Sequence, residues 1–380
     1  MPPMAERPAP LVLVTTPPDG QPFGSHAAVA ADGQRLLAAE LSARLGRLGA
    51  AVAPLPSVAP PDGAPFHWGR WFVGAVRGAL ADPAGDVDAI GYASGAALAL
   101  LADDALDELL SPIPGEVVAN NRFSADAFVV AGDLEAALSA LEGCDNDNVA
   151  PRRLNDAGFG WRDLGATLWA RFDIDTTLDL ALLRLATRLS DMRPLEPALS
   201  GYLEMARLPG DRALEVPHLE RIGEVIRDRS AELVVAGRIP VSTWQELETD
   251  TACRVRCFVE ERGMRSARGS GQAPRSVLAA LMARTSPAEL IGELARLGDA
   301  VVLDTRVLMA ARAGSADADS WPPEEERFAS DFGDAGRVET PWLRELTEAA
   351  SGASVPFLFG GHALVSDGLR LIVRAAWQGR

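Results

Sequence analysis

Two hydrophobic periods take turns along the first half of the chain. "LVLVTT" (11–16) is a short aliphatic run of the kind that forms a buried strand, while "GQRLLAAELSARLGRLGA" (33–50) sets its leucines three and four apart, as an amphipathic helix requires. The exchange repeats. Strands are predicted over "AVAPLP" (51–56), "VDAIGYAS" (87–94), "EVVANN" (116–121) and "ADAFVVAG" (125–132), with helices over "WGRWFVGAVRGALAD" (68–82), "ADDALDELL" (102–110) and "LEAALSALEG" (134–143). A polar loop, "CDNDNVAPRRLNDAGFG" (144–160), then leads to a strand over "ATLWARFDID" (166–175) and a helix over "LDLALLRLATRLSDM" (178–192).

A stretch rich in proline and charge (192–217) separates this series from a second one. There the pattern predicts helices over 218–230, 242–248, 276–284, 287–298, 343–351 and 369–377, with strands over 231–239, 253–260, 300–310 and 355–361. Ser242 and Gln245 stand at capping-box spacing. The polar insertion 314–336 shows no apolar period and reads as a solvated loop or a cover over a site. Repeated β–α alternation predicts an α/β protein with mostly parallel sheets flanked by helices. The expected division is a domain over 1–205 and a second, smaller α/β domain over 206–380.

Composition narrows the functional classes. With 36 basic against 53 acidic residues the formal charge is −17, which disfavours nucleic acid and anionic membranes as partners. A small-molecule ligand, a nucleotide or sugar phosphate, is the expected partner, with a homo-oligomer open. The apolar run Leu11–Val14 is too short for a secretory signal, and three cysteines fit reduced thiols, so a cytoplasmic protein is expected. All 36 basic residues are arginine. The absence of lysine excludes a Walker phosphate loop and Schiff-base chemistry, each of which needs the amine.

Candidate chemistry concentrates in "RFDIDTTLDL" (171–180). Thr176 and Asp179, three apart ahead of an apolar helix, approximate a capping box. Asp173 and Asp175, two apart in an extended segment, would point the same way from the C-terminal end of a strand, where α/β sheets collect ligands. Two like charges there suit a magnesium ion, or one of them pairs with Arg171 or Arg162.

"RFDIDTTLDLALL" (171–183) resembles the closing motif of small nucleotidyltransferases with the glycosyltransferase-A fold, the group containing molybdopterin and phospholactate guanylyltransferases, which often carry "DIDTPEDL". "DAIGYASGAALALLADDALDELL" (88–110) is similar to the middle of that fold, although Ser94 and Gly95 stand where the family supplies a metal-binding aspartate. Gly20, Gly24 and Gly33 are scattered where the family has a glycine-rich loop followed by arginine and lysine. The resemblance implies a magnesium-dependent enzyme that moves a nucleotidyl group from a nucleoside triphosphate to a small phosphorylated acceptor and releases pyrophosphate. Asp173 and Asp175 would be its catalytic metal ligands.

Further candidates surround this motif. Asn120, Asn121, Ser124 and Asp126 interrupt two strands with groups suited to a base, ribose or sugar, or to tight turns. Asn148, Arg152 and Arg153 could receive a phosphate at a helix start. Gly360, Gly361 and His362 follow a strand, with Ser366 nearby, and Asp304 and Arg306 form either an ion pair or part of a pocket. Two other functions stay open: an inactive ligand-binding or assembly subunit on the same fold, and a nucleotide-sugar-dependent glycosyltransferase.

Overall fold

The computed structural model describes residues 9–17, 21–22, 24–55, 66–81, 87–264 and 273–378. Gly20, Pro56 and Asp82, parts of three sequence expectations, lie outside the described residues. The chain forms two compact units, residues 1–19 with 34–173 and residues 20–33 with 174–380. Composition drew its line near 205; the compact units meet instead inside the aspartate motif, between Asp173 and Ile174.

The first unit holds a six-stranded mixed sheet in the order β2-β1-β3-β5-β4-β6. Its strands are β1 (Leu11–Thr15), β2 (Ala51–Leu55), β3 (Ala89–Ala93), β4 (Glu116–Ala119), β5 (Ala127–Ala131) and β6 (Gly160–Asp163). β1 runs parallel to β2 and β3, and β4 to β6, whereas β5 is antiparallel to both neighbours. A short loop joins β4 to β5 without a helix, and a connection that short permits only an antiparallel return. Alternate residues face opposite layers. Leu11, Leu13, Ile90, Tyr92 and Phe128 join a core with Trp68, Phe72 and Val76 of α2 (Trp68–Leu80) and Leu138 of α4 (Leu134–Glu142). Val12, Val14, Ala93 and Val129 face the opposite layer, where Leu41 and Leu45 of α1 (His26–Arg47) and Leu106 of α3 (Asp103–Leu109) pack.

Two expectations fail here. Most of the polar loop after α4 folds, giving a 3-10 turn at Asp147–Val149, α5 (Ala150–Asp156) and then β6. Because β6 takes the edge beside β4, segment 166–175 finds no ladder. It keeps a single bridge between Asp173 and Ala97. The two-residue period persists in burial alone: Phe172 and Ile174 are buried, Asp173 is half-buried and Asp175 exposed.

The second unit contains a four-stranded, all-parallel sheet, β10-β9-β11-β12, from β9 (Glu232–Gly237), β10 (Arg254–Val259), β11 (Ala300–Asp304) and β12 (Phe357–Gly360). This smaller sheet belongs to the unit that takes more of the chain. α6 (Thr177–Ala186) is buried at every position, as its continuous apolar run demands, and packs against α7 (Pro197–Met205), α13 (Glu324–Asp331) and α15 (Leu369–Gln378). The expected strand 300–310 changes at Asp304 into α12 (Thr305–Ala313), since the Asp304 carboxylate accepts the Arg306 N–H as an N-cap. The insertion 314–336 is not a solvated loop: α13 buries Glu326, Phe328, Ala329, Ser330 and Asp331. Ser242 and Gln245 form no capping box, because α9 (Val241–Asp250) starts earlier, with Pro240 as its N-cap. Among the described residues no helix is long and apolar enough to cross a membrane.

Candidate functional site

At the C-terminal edge of the first sheet, the turn after β3 is clamped onto the end of β1. The Gly95 N–H donates to Thr15 Oγ1 at 3.1 Å, and a Cβ at Gly95 would fall 2.1 Å from the Thr15 carbonyl oxygen. Only glycine permits that approach. Ser94 donates its N–H to the Asp126 carbonyl at 2.7 Å, while its hydroxyl accepts from Ala96 N at 3.3 Å. Ala97, two residues past Gly95, carries the bridge to Asp173. Asp173 is therefore held beside the Ser94–Gly95 turn of its own unit.

Asn120 is fully buried and its amide is saturated. Oδ1 accepts from Asp126 N at 2.9 Å and Ala127 N at 3.0 Å; Nδ2 donates to the Ala170 carbonyl at 2.9 Å and to Asp126 Oδ2 at 3.2 Å. An amide has two donors and two acceptor positions, so nothing remains for a base or sugar. Of the two roles its residue type allowed, Asn120 therefore takes the structural one: it closes the β4–β5 loop. Asn121 makes a local turn, accepting from Phe123 N at 3.4 Å. Ser124, exposed, donates to Asn148 Oδ1 at 2.5 Å and so ties this loop to the one before α5. Asn148 in turn donates to Asp147 Oδ1 from both its backbone N–H, at 2.9 Å, and its side chain, at 3.2 Å. Asp147 Oδ2 accepts from the Tyr92 hydroxyl at 2.9 Å. Burial, and then the Asp147 carboxylate, keep that phenol neutral well above its ordinary range.

The structure thus joins Ser124, Asn148 and Asp126 into one edge cluster. It adds Tyr92 and Asp147, whose strand and loop patterns gave no sign that they would meet. Arg152 is half-buried and Arg153 exposed; both oppose burial, which pushes the Cys144 thiol up to about 11. Arg162 is paired with Glu108 at 3.0 Å and Glu116 at 3.1 Å, so of the two arginines offered as partners for the motif aspartates this one is engaged elsewhere.

In the second unit Thr176 and Asp179 make the expected capping box. One oxygen, Asp179 Oδ2, accepts from Asp175 N at 3.0 Å, Thr176 N at 2.8 Å and the Thr176 hydroxyl at 2.9 Å. Burial, reinforced by the like charges of Asp175 and Asp331, pushes the Asp179 carboxyl up to about 7. Nearby, Arg306 makes a two-pronged pair with Asp331 at 2.5 and 2.6 Å, and Arg238 another with Asp304 at 2.6 and 3.1 Å. Burial alone would raise the Asp304 carboxyl, but Arg238 outweighs it and holds the group below its usual range. Asp304 pairs with Arg238 rather than with the side chain of Arg306, as a reading of adjacent residues would suggest. Arg238 and Asp331 escaped that reading because each lies on a different element from its partner.

The residues after β12 play packing roles. A Cβ on Gly360 would press Leu178 and Leu364 at 2.8 Å, so this glycine admits side chains of α6 and the following helix, not a ligand. Gly361 has room beside Arg306. His362 is half-buried, and its charge favours ionised Asp304. The Ser366 hydroxyl donates to the carbonyls of His362 at 2.8 Å and Ala363 at 3.1 Å inside a π-helical turn, Leu364–Gly368, and is not presented to a phosphate. A hollow of about 570 Å³ in this unit is bounded by Arg229, Thr251, Arg374 and Trp377, none of them singled out by the sequence.

Among the described residues no three His, Cys, Asp or Glu side chains are grouped to hold a metal ion. Compared with models of known families and with curated proteins, the chain finds no match.

Proposed function

We propose that the first unit binds a nucleoside triphosphate with magnesium at the C-terminal edge of its sheet and transfers the nucleotidyl group to a small phosphorylated acceptor, releasing pyrophosphate. One observation carries this reading: the Ala97–Asp173 bridge holds a half-buried carboxylate beside the Ser94–Gly95 turn, past the end of β3. Magnesium usually keeps several waters and takes only one or two protein carboxylates together with substrate phosphates, so the donor set at Asp173 fits it without a group of three. Bound there, the ion would neutralise charge developing on the transferring phosphate. Asp175, the motif's other expected ligand, is exposed and belongs to the other unit, so Asp173 alone carries the metal role in this reading. Arg152 and Arg153 would orient phosphates, and Ser124, Asp126 and Asn148 the sugar or acceptor. The family likeness of residues 171–183 to glycosyltransferase-A nucleotidyltransferases supports the same chemistry.

Pyrophosphate release from each triphosphate, with and without magnesium, tests the reading. Asp173→Asn is expected to abolish release while leaving the thermal midpoint near that of the wild type; full activity in this variant sinks the metal role. A second reading, a ligand-binding or assembly subunit without turnover, is favoured by the saturated Asn120 amide and the missing lysine. It predicts ligand-induced thermal stabilisation with no pyrophosphate. Stabilisation by nucleotide sugars in place of triphosphates would point to glycosyl transfer.

A further inference from the structure

The β4–β5 loop carries two residues that the edge cluster does not use. The guanidinium carbon of Arg122 stands 3.4 Å from the centroid of the Trp161 ring and 5.4 Å from that of Phe123. A separation of 3.4 Å leaves room only for face-to-face stacking, which leaves the N–H donors pointing outward in the guanidinium plane. Trp161, on edge strand β6, is half-buried and packs on the core beneath it; Phe123 meets it edge-on at 6.4 Å and is 63 % exposed. Among the described residues no carboxylate pairs with Arg122.

The loop is also fixed before any ligand arrives, by the saturated Asn120 amide on one side and the Ser124–Asn148 bond on the other. Preorganisation of this kind lowers the ordering cost of binding. A planar exposed ring beside an unused guanidinium fork matches a ligand that is aromatic at one end and anionic at the other. We propose that Arg122, Phe123 and Trp161 form a recognition site for a nucleoside monophosphate moiety, with the base stacked on Phe123 and the phosphate on the Arg122 fork. This rests on the nucleotide reading of the first unit and names the residues that would grip the substrate. The chain's negative charge argues against a polymeric nucleic acid as the occupant.

Calorimetric titration of the full chain with GMP and with AMP, in the absence of magnesium, tests the site directly. Arg122→Ala is expected to weaken binding at least about tenfold, and Phe123→Leu about fivefold or more, the loss of a charge-assisted pair and of one base-stacking contact respectively. Both side chains are exposed, and near-ultraviolet dichroism checks that the fold is kept. No binding to the wild type, binding indifferent to both substitutions, or tighter binding of a single-stranded oligonucleotide than of either mononucleotide overturns the proposal. The two readings separate cleanly. Magnesium-dependent pyrophosphate release with KM unchanged in Arg122→Ala leaves nucleotidyl transfer standing and removes this site. Mononucleotide binding lost in Arg122→Ala, with no release by the wild type under any condition, does the reverse.

Discussion

Each sheet has a switch point among its parallel strands, between β1 and β3 in the first unit and between β9 and β11 in the second. Ligands of open α/β sheets collect outside such points. In this chain a glycine lets the backbone close tightly on its neighbour at both. Gly95 is pressed onto the Thr15 carbonyl in one, and in the other Gly237, at φ +129°, leaves only 2.3 Å between its missing Cβ and that of Asp304. Beyond the switch points the units diverge. The edge of the second sheet carries two arginine–aspartate pairs in which no residue is more than 8 % exposed, and each member satisfies its partner. The edge of the first carries, beside the buried Asn120 and Tyr92, the half-buried or exposed Asn121, Ser124 and Asn148, with Arg122, which no carboxylate pairs among the described residues, at their margin. Topology marks both places equally; only chemistry separates a network that holds the fold from one with groups left to bind.

The sharpest test removes a member of the buried network. Arg306→Ala would leave the Asp331 carboxyl without its guanidinium partner and out of reach of water, and should lower the unfolding free energy by about 3–5 kcal/mol in urea melts. A loss below about 1 kcal/mol would mean the network is not structural, and the contrast between the units would collapse.

Proton linkage should expose the same burial. Asp179, raised to about 7 in the fold, contributes stability that is fully present below the ordinary aspartate range and lost as pH rises through 7. His26 works in the opposite sense. Burial pulls its imidazole down to about 4, so its contribution is present above 6.5 and lost as pH falls through 4. Wild-type stability should therefore change little between about pH 4 and 7 from these two groups together. Asp179→Asn should unmask a rise with pH, and His26→Asn a fall, each on the order of 3–4 kcal/mol across that window. Identical slopes in both variants would show that neither group titrates as its burial requires. In the first unit, Asn120→Ala should cost about 2–3 kcal/mol at any pH, because the N–H groups of Asp126 and Ala127 lose their acceptor without a change in charge.

Local patterns were read well where local forces decide. The strands β1, β3 and β9 follow from aliphatic runs, and the Thr176–Asp179 capping box from a three-residue spacing. Errors arose where a distant partner decided. Segment 166–175 alternates as a strand should, but "GWRD" pairs first with β4. α13 hides in a run of acids because its buried face is only Phe328, Ala329 and a polar trio, and its Asp331 is stable there only through Arg306. The candidate site was legible in part: Asp173, Ser124, Asp126 and Asn148 were singled out by residue type, whereas Tyr92 and Arg122 became visible only once the fold brought Asp147 and Trp161 beside them. Asn120 stayed open between ligand and turn for the same reason, since an amide's availability depends on backbone groups that sequence cannot position.

The smallest expected effect bears most directly on why the first edge is open. Ser124→Ala removes one exposed hydrogen bond between two loops, and exposure means that water replaces it, so stability should fall by no more than about 1 kcal/mol. The consequence for binding is different. Without that bond Asn148 Oδ1 loses its donor and the β4–β5 loop keeps its Asn120 and Ser94 anchors but no tie to the loop before α5, so amide exchange should quicken around 121–126 and 145–149 and leave the second unit unchanged. Mononucleotide affinity should drop severalfold, because the ligand must then order a loop that the protein had already ordered. Unchanged exchange in both loops would show that the Ser124–Asn148 bond does not help to fix the edge; equal loss of protection in both units would show that the difference between a saturated and an open edge does not survive in solution.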